Sequence, residues 1–347
     1  MARTIDQYTI LAFYPLNSAS VVLHFDNGEG ADKAAAFETG DTDSDENWIR
    51  YAMASAKSVA NHTPDIKGFS GVVYGSLVSA GLSSSASVIL AYIGALAHVN
   101  NIELTNAELV ELARQVENNY MGLNNGIQDQ MSIVFGRDNA LSLLNMDTTT
   151  ATYITDPPNI HEVCWVICYS GFSRELVSSG FNDRVRECRE AATLLDQSAE
   201  HLGQVESACR NAEHIAKLPA HLQRRVAHVY GESERVANGC HAWQAGRWVE
   251  FGKLMNESCS SSISNYECGS EPMKELHNIA LQQSAVYGSR FGGGGYGGCL
   301  NMLVQRNQAD AVKERVLQLF LERYPEKRGE AKAFMATSEN NARLFHN

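Results

Sequence analysis

The amino-acid sequence predicts a protein of two domains, each of which combines strands with helices. Its 347 residues, of which 44% are hydrophobic, are enough to fill two cores. Segments with strand character and segments with helix character occur on both sides of a turn at Pro157 and Pro158. We place the domain boundary at this turn, which gives domains of residues 1–158 and 159–347.

The N-terminal part begins with two β-rich runs, Tyr8 to Leu16 and Ala19 to Asp26, which the intervening turn residues predict to be a strand pair. Apolar residues at helical spacing predict a helix from Trp48 to Ala60. A strand from Phe69 to Gly75 then leads through a serine-rich loop into the apolar run from Ala86 to Val99. That run is shorter than the ~20 residues that cross a bilayer, so it predicts a buried helix.

Further elements follow from turn and capping signals. Thr105 with Glu108 three residues later predicts the start of a helix with a capping box. Beyond the Pro-Pro turn we expect a strand from Val163 to Tyr169 and a long helical region from Asn182 to Asn256. The C-terminal part is predicted to contain five elements in order. These are a helix (Pro272–Gln282), a glycine loop (292–298), a strand (Cys299–Gln305), a second helix (Asp310–Tyr324) and a last strand (Lys332–Thr337).

Charge and composition exclude several classes of partner. The formal net charge of −12 disfavours nucleic acid and anionic membranes, which bind basic surfaces. The eight cysteines form no CxxC pair, so we expect reduced thiols rather than a zinc site or a disulfide framework. The N-terminus has no signal-peptide pattern, which predicts a cytoplasmic protein. We expect a monomer or a weak homo-oligomer.

A loop of small residues between the strand and the apolar helix is a candidate phosphate site. Its backbone N–H groups can face outward and act together with the positive end of the helix. A simpler interpretation is an N-cap in which Ser84 or Ser85 satisfies the first amides of the helix. The absence of a GxxxxGK[ST] pattern excludes a Walker-type P-loop. The candidate residues are Gly81, Leu82, Ser83, Ser84, Ser85, Ala86 and Ser87.

Two acidic residues and a glycine run are the other candidates. Glu117 extends the helix near its polar border, where a solvated carboxylate is the simpler expectation. Asp129 opens a helix after the turn that includes Gly126, where an acidic side chain also complements the helix dipole. Six of the seven residues from Gly292 to Gly298 are glycine, a density that one tight turn does not explain, although a flexible hairpin connection is the alternative.

GLSSSAS, GIQDQ and GGGGYGG occur in this order, and they resemble the motifs of the galactokinase branch of the GHMP kinases. The resemblance extends over essentially the whole chain. It implies an α+β fold with an N-terminal domain like ribosomal protein S5 domain 2 and a ferredoxin-like C-terminal domain. Nucleotide and sugar are then expected in the cleft between the domains. The implied activity is transfer of the ATP γ-phosphate to the anomeric hydroxyl of a sugar, with Mg²⁺ required.

The same resemblance assigns roles to residues. It implies that Asp129 accepts the proton of the sugar hydroxyl and that Glu117 holds Mg²⁺ together with Ser85, while the loop amides hold the nucleotide phosphates. These roles agree with the needs of phosphoryl transfer, which are charge neutralisation and an oriented nucleophile. Gly126 would let the backbone approach the sugar closely. The glycines that would close the nucleotide site are Gly293, Gly294 and Gly295.

The identity of the sugar stays open between galactose and galacturonate. Phe172 to Cys188 resembles the galactokinase segment that reaches the sugar, with Phe181 where relatives usually have Tyr. Ser261 to Ala280, together with YGSRF, looks more like the galacturonokinases of plants. Galactose is therefore the leading expectation and galacturonate the alternative. A uronate carboxylate would be held by Arg174 or Arg184, unless these arginines form structural salt bridges.

Family members carry a segment like RxNLIGEHTDYxGG with sugar contacts and a catalytic arginine, and no such string precedes Thr4. Its absence predicts weak or no turnover. A start site placed too far downstream, a truncated gene and a non-catalytic descendant are the competing explanations. The last of these makes a sugar- or nucleotide-binding protein the alternative to a kinase, and a mevalonate- or homoserine-type kinase is a third, weaker alternative.

Overall fold

A computed structural model describes residues 1–26, 33–41, 44, 46–75, 82–122, 126–172 and 180–343, without the side chains of Asn47 and Phe181. The chain divides into two compact units, Met1–Thr155 with Thr337–Asn347, and Asp156–Ala336. The expected boundary at Pro158 lies close to this division. The expectation that the second domain includes the C-terminal residues differs from the structure, because the backbones of Asp6 and Thr337 hydrogen-bond within the first unit.

The first unit is built on a four-stranded sheet in the order β1-β4-β2-β3. β4 pairs antiparallel with β1 and parallel with β2, and β2 pairs antiparallel with β3. The expected pairing of the first two strands is therefore wrong, since β4 lies between them. Alternation along β4 buries Phe69, Gly71 and Val73 and exposes Val72 and Tyr74. The strands are β1 (Thr9–Pro15), β2 (Ser20–Asp26), β3 (Lys33–Glu38) and β4 (Phe69–Gly75).

Helices of the first unit pack on the buried face of this sheet. The apolar run after the serine-rich loop forms the predicted buried helix, in which Ile89 and Ile93 are fully inaccessible to solvent. The capping box of Thr105 and Glu108 is confirmed. The helices are α1 (Asn47–His62), α2 (Ser84–Val99), α3 (Asn106–Gln115) and α4 (Gln128–Val134), and a hairpin of β5 (Ala140–Asn145) and β6 (Thr150–Thr155) completes the unit.

The second unit contains an antiparallel sheet in the order β10-β7-β9-β8. Its core includes Val166, Leu300 and Met302 on the strands and Leu276 and Phe320 on the helices. The strands are β7 (Val163–Tyr169), β8 (Val286–Phe291), β9 (Cys299–Gln305) and β10 (Lys332–Ala336). The helices are α5 (Phe181–Leu195), α6 (Ala212–Ala216), α7 (Ala220–Gln244), α8 (Trp248–Ser264), α9 (Glu271–Leu281) and α10 (Ala309–Arg323).

The helical region expected from Asn182 to Asn256 is not continuous. It is divided among four helices, and a glycine in the left-handed region, Gly246 at φ 62°, separates α7 from α8. The two longest of these helices, α7 and α8, lie against each other, and α8 also packs on β8. In the parts of the chain that the structure describes, no helix is long and apolar enough to cross a membrane.

Candidate functional site

The N-terminus of α2 carries the described part of the predicted phosphate loop, Leu82 to Ser87. Gly81 lies outside the described residues. Ser83 is the N-cap residue, but its side chain does not cap the helix, and its backbone is left-handed at φ 59° and ψ 29°. A non-glycine residue in this conformation stores strain of about 1–3 kcal/mol, and such residues concentrate at functional sites.

The simpler N-cap interpretation assigned the first amides of α2 to Ser84 or Ser85. In the structure the Ser85 hydroxyl instead donates to Glu117 Oε1 at 2.8 Å. The first turn of an α-helix has backbone N–H groups without partners inside the helix, and α2 is four turns long. This helix end can therefore bind an anion such as a nucleotide phosphate.

Glu117 lies in a π-helical turn, Val116–Tyr120, that continues α3. A π-helical turn is wider than an α-helical one, and such turns are often found at functional sites. The carboxylate is 2% exposed, so the solvated helix border expected from the sequence is wrong. Ser85 donates to Oε1, and the Gln130 side-chain amide donates to Oε2 at 2.8 Å. Burial first, and then the charge of Glu117, raises the pKa of the Tyr51 phenol on α1.

Asp129 lies in the first turn of α4 and is partly buried. Within the described chain, no side chain forms a hydrogen bond or ion pair with its carboxylate. The next residue, Gln130, is completely buried and contacts Glu117. The structure therefore links the segments of the two predicted acids through one intervening side chain.

Gly126, the predicted sugar-contact glycine, is exposed at the start of this segment. Among the described residues, and apart from its chain neighbours, a Cβ atom added at Gly126 would meet no heavy atom within 4 Å. Neither packing nor a left-handed backbone requires glycine at this position, since its φ is not positive. A ligand that approaches the backbone is a remaining reason for glycine here.

The glycine run forms the loop between β8 and β9 in the second unit. Gly293, Gly295, Gly297 and Gly298 all have positive φ, from 73° to 137°, a conformation that disfavours other residues. The Gly295 carbonyl accepts from the Ser270 amide at 2.8 Å, and further hydrogen bonds join Gly298 to Ser170 and Phe172. Gly294 is half-buried and Gly293 is exposed. The loop is thus an ordered hairpin connection with its own hydrogen bonds.

The predicted sugar-specific segment is only partly described. Phe181 begins α5 after the left-handed Gly180, but its side chain lies outside the described residues, as does Arg174. Arg184 is described, and its Nη1 contacts Glu187 Oε2 and Glu267 Oε2, both at 2.9 Å. The structure places Arg184 in an ion cluster, in agreement with the salt-bridge alternative.

Sequence reasoning did not identify Gln130, the residue that joins the two acids. Its signal was present, because Ile127, Gln130, Met131 and Val134 share one face at helical spacing. A polar residue on a buried face must find a partner. The sequence did not reveal that this partner is Glu117.

The residues around Glu117 fit a small hard cation. Mg²⁺ is usually bound by one or two carboxylates with phosphate oxygens and water rather than by a protein cage. Glu117 supplies the carboxylate and Ser85 a hydroxyl oxygen beside it. Among the described residues no group of three or more His, Cys, Asp or Glu side chains could hold a metal alone. A cation at Glu117 would therefore share its ligands with the nucleotide.

Comparison with known proteins identifies the family of this chain. The family model of the GHMP kinases N terminal domain matches residues 50–137, and that of the GHMP kinases C terminal matches residues 241–321. The chain is similar to the galacturonokinase of Arabidopsis thaliana, at 33% identity over 94% of this chain and 82% of that protein. It is also similar to the galactokinase of Staphylococcus carnosus (strain TM300), at 31% identity over 80% of this chain and 72% of that protein.

Among solved structures, the Lactococcus lactis galactokinase complexed with galactose superposes with a TM-score of 0.87 at 26% identity. The superposition covers 99% of this chain and 88% of the galactokinase chain. A mevalonate kinase superposes with a TM-score of 0.62 at 16% identity, which shows the shared fold alone. The α+β fold predicted from the sequence, with its two GHMP kinase domains, is confirmed.

Proposed function

The chain belongs to the galactokinase family of the GHMP kinases and is a sugar kinase, and from this premise we propose its substrates and the roles of its residues. The donor is ATP, and the acceptor is the anomeric hydroxyl of a galactose-configured sugar. The products are ADP and the sugar 1-phosphate. The observation that carries this proposal is that Glu117 accepts hydrogen bonds from Ser85 and from Gln130, the residue that follows Asp129 in the sequence.

In the proposed mechanism, the N-terminus of α2 binds the nucleotide phosphates through its backbone N–H groups. Glu117 and Ser85 would hold Mg²⁺, which neutralises charge on the transferring phosphate oxygens. Asp129 accepts the proton of the sugar hydroxyl as that oxygen attacks the γ-phosphate and the bond to ADP breaks. Among the described residues no donor occupies the Asp129 carboxylate, which leaves it accessible to the sugar hydroxyl.

Galactose and galacturonate both fit this proposal. The similarity to a galacturonokinase over 94% of the chain favours the uronate, while the structural match to a galactokinase favours the neutral sugar. We assign Arg184 to the ion cluster rather than to a uronate carboxylate, because two carboxylates, Glu187 and Glu267, already balance its single positive charge. Arg184→Gln is then expected to leave the ratio of kcat/KM for the two sugars unchanged.

The test is an ADP-release assay over a panel of hexoses and uronates, with Mg²⁺ and with EDTA. Asp129→Asn should lower kcat by about 10²–10⁴-fold while nucleotide binding by calorimetry persists. Asp310→Asn is the matched control, since Asp310 also lies in the first turn of a helix but is exposed. If the two substitutions lower kcat equally, Asp129 only complements the helix dipole and is not the base.

The assay also separates the proposal from a binding protein without catalysis. Sugar and ATP binding without ADP release, across the whole panel, would contradict the kinase proposal and support the binding protein. Release of ADP with galactose or galacturonate alone would identify the acceptor.

A further inference from the structure

We propose that Gln130 is a positioning residue of the phosphotransfer reaction, whose side-chain amide orients the Glu117 carboxylate and fixes the first turn of α4. This inference rests on the proposed function, in which Glu117 is a Mg²⁺ ligand and Asp129 the base. Gln130 itself contacts Glu117 and is assigned no contact with the substrate.

Two donors hold the two oxygens of Glu117. The Ser85 hydroxyl engages Oε1 and the Gln130 amide engages Oε2, each at 2.8 Å. Because each oxygen has a donor, rotation of the carboxylate about its terminal torsion is opposed from both sides. Each carboxylate oxygen can accept more than one hydrogen bond or coordinate bond, so the two contacts leave capacity for a cation.

These two donors are uncharged. An amide or a hydroxyl orients a carboxylate without neutralising it, whereas a guanidinium or ammonium group would compete with a cation for the same charge. Residues that hydrogen-bond to a metal-binding side chain set its orientation and its affinity for the metal. The donor type at Gln130 therefore fits a carboxylate that must keep its charge.

Stability alone does not explain a glutamine at this position. Gln130 is completely buried, and its Oε1 has no hydrogen-bond partner among the described residues. An unsatisfied buried acceptor costs about 1–3 kcal/mol, and an apolar residue of similar volume would avoid that cost. The opposite orientation of the amide would place Oε1 against the Glu117 carboxylate, so the observed orientation is the favourable one.

The same contact fixes the segment that carries the base. Gln130 directly follows Asp129, and α4 has only seven residues. Successive side chains on a helix point about 100° apart. Because the Gln130 side chain points inward to Glu117, the Asp129 side chain points in a different direction. Met131, which is also completely buried, supports the same inward face. One side chain thus links the orientation of the proposed metal ligand with that of the base.

The test measures metal affinity separately from turnover. Binding of Mn²⁺ to the ADP complex of the full chain is followed by electron paramagnetic resonance, for the wild type and for Gln130→Met. We expect the substitution to weaken Mn²⁺ binding by about 10–100-fold, with ADP affinity in EDTA unchanged. The Mg²⁺ concentration for half-maximal activity should rise and kcat should fall.

Gln115→Met is the matched control. Gln115 donates to Glu111 Oε1 at 3.0 Å on the surface of the preceding helix, so the substitution removes the same kind of contact at an exposed site. It should leave Mn²⁺ affinity and kcat at wild-type values. If Gln130→Met lowers thermal stability but leaves Mn²⁺ affinity unchanged, Gln130 is only structural and the inference is overturned.

Two further variants keep the outcomes distinct. If Glu117→Gln leaves Mn²⁺ affinity unchanged, the metal role of Glu117 in the proposed function fails. If Glu117→Gln weakens Mn²⁺ binding and Gln130→Met does not, only the present inference fails. If Gln130→Met does not fold, Gln130→Glu is tested instead. Two adjacent carboxylates share a proton, so Mn²⁺ affinity should become pH-dependent. Mn²⁺ affinity that stays at the wild-type value at every pH would overturn the inference.

Discussion

Two carboxylates, Glu117 in the first unit and Glu267 in the second, are held by different kinds of donor. Glu117 is buried and receives hydrogen bonds from a hydroxyl and an amide, both uncharged. Glu267 is half-exposed and contacts the guanidinium groups of Arg184, Arg224 and Arg225. The difference indicates two uses of a carboxylate. The neutral donors at Glu117 orient the carboxylate without neutralising it, whereas guanidinium groups neutralise Glu267 and join α5, α7 and the loop before α9.

The guanidinium cluster should therefore matter for folding. Arg225 is completely buried, contacts Glu187 Oε2 at 2.6 Å and Glu267, and donates to the Asn265 carbonyl at 2.5 Å. We expect Arg225→Met to lower the free energy of unfolding by about 3–5 kcal/mol, because the glutamates lose a buried partner. Urea unfolding followed by circular dichroism measures this.

Arg224→Met is the control for that loss. Arg224 is the preceding residue on the same helix and also contacts Glu267, but its side chain is 41% exposed. An exposed ion pair contributes about 0–1 kcal/mol, so this substitution should have a small effect. Equal losses for both substitutions would remove the distinction between buried and exposed members of the cluster.

Acidification acts more gradually, and it should destabilise the second unit. Burial lowers the pKa of both His228 and His277 to about 4. Both contribute fully to stability above the unfolded pKa of about 6.5, and this contribution is lost as the pH falls towards 4. The free energy of unfolding should fall by about 1 kcal/mol per pH unit for each histidine. Urea titrations at pH 7.5, 6 and 5 measure the slope.

Tryptophan fluorescence can follow this change, since Trp165, Trp243 and Trp248 lie in the second unit. Glu232 does not interfere in the same range. Burial opposes its ionisation, but Arg290 and hydrogen bonds lower its pKa to about 2, so its contribution is lost only below about pH 4.5. Constant stability between pH 6.5 and 4.5 would contradict the assignment to the histidines.

The smallest effect concerns the glycines. Gly126→Ala should leave the melting temperature unchanged, because the added Cβ meets no atom of the described residues within 4 Å, its chain neighbours apart. If the sugar approaches this backbone, KM for the sugar should rise by about 10-fold. Gly295→Ala provides the contrast, since its φ is 73° and its Cβ would lie 2.3 Å from the Phe291 ring. That substitution should lower the melting temperature, and an unchanged KM for Gly126→Ala would exclude a sugar contact there.

Local patterns in the sequence predicted the elements that depend on short-range interactions. The buried helix after the serine-rich loop, the capping box at Thr105 and the strands β7 and β9 follow from apolar spacing and turn residues. β3 was missed because its Ala-rich sequence has little strand character of its own. The pairing of β1 with β4 rather than with β2 depends on contacts across the sheet.

The sequence by itself determined the family and the order of its motifs, and it named the residues to which we propose chemical roles. Only the tertiary structure decided the environment of each side chain. Glu117 is buried because α2 and α4 bring Ser85, 32 residues away, and Gln130, 13 residues away, to its two oxygens. Arg184 is engaged because Glu267, 83 residues along the chain, meets it in the folded unit. Helix spacing and turn chemistry act over a few residues, whereas burial and charge pairing depend on packing between distant segments.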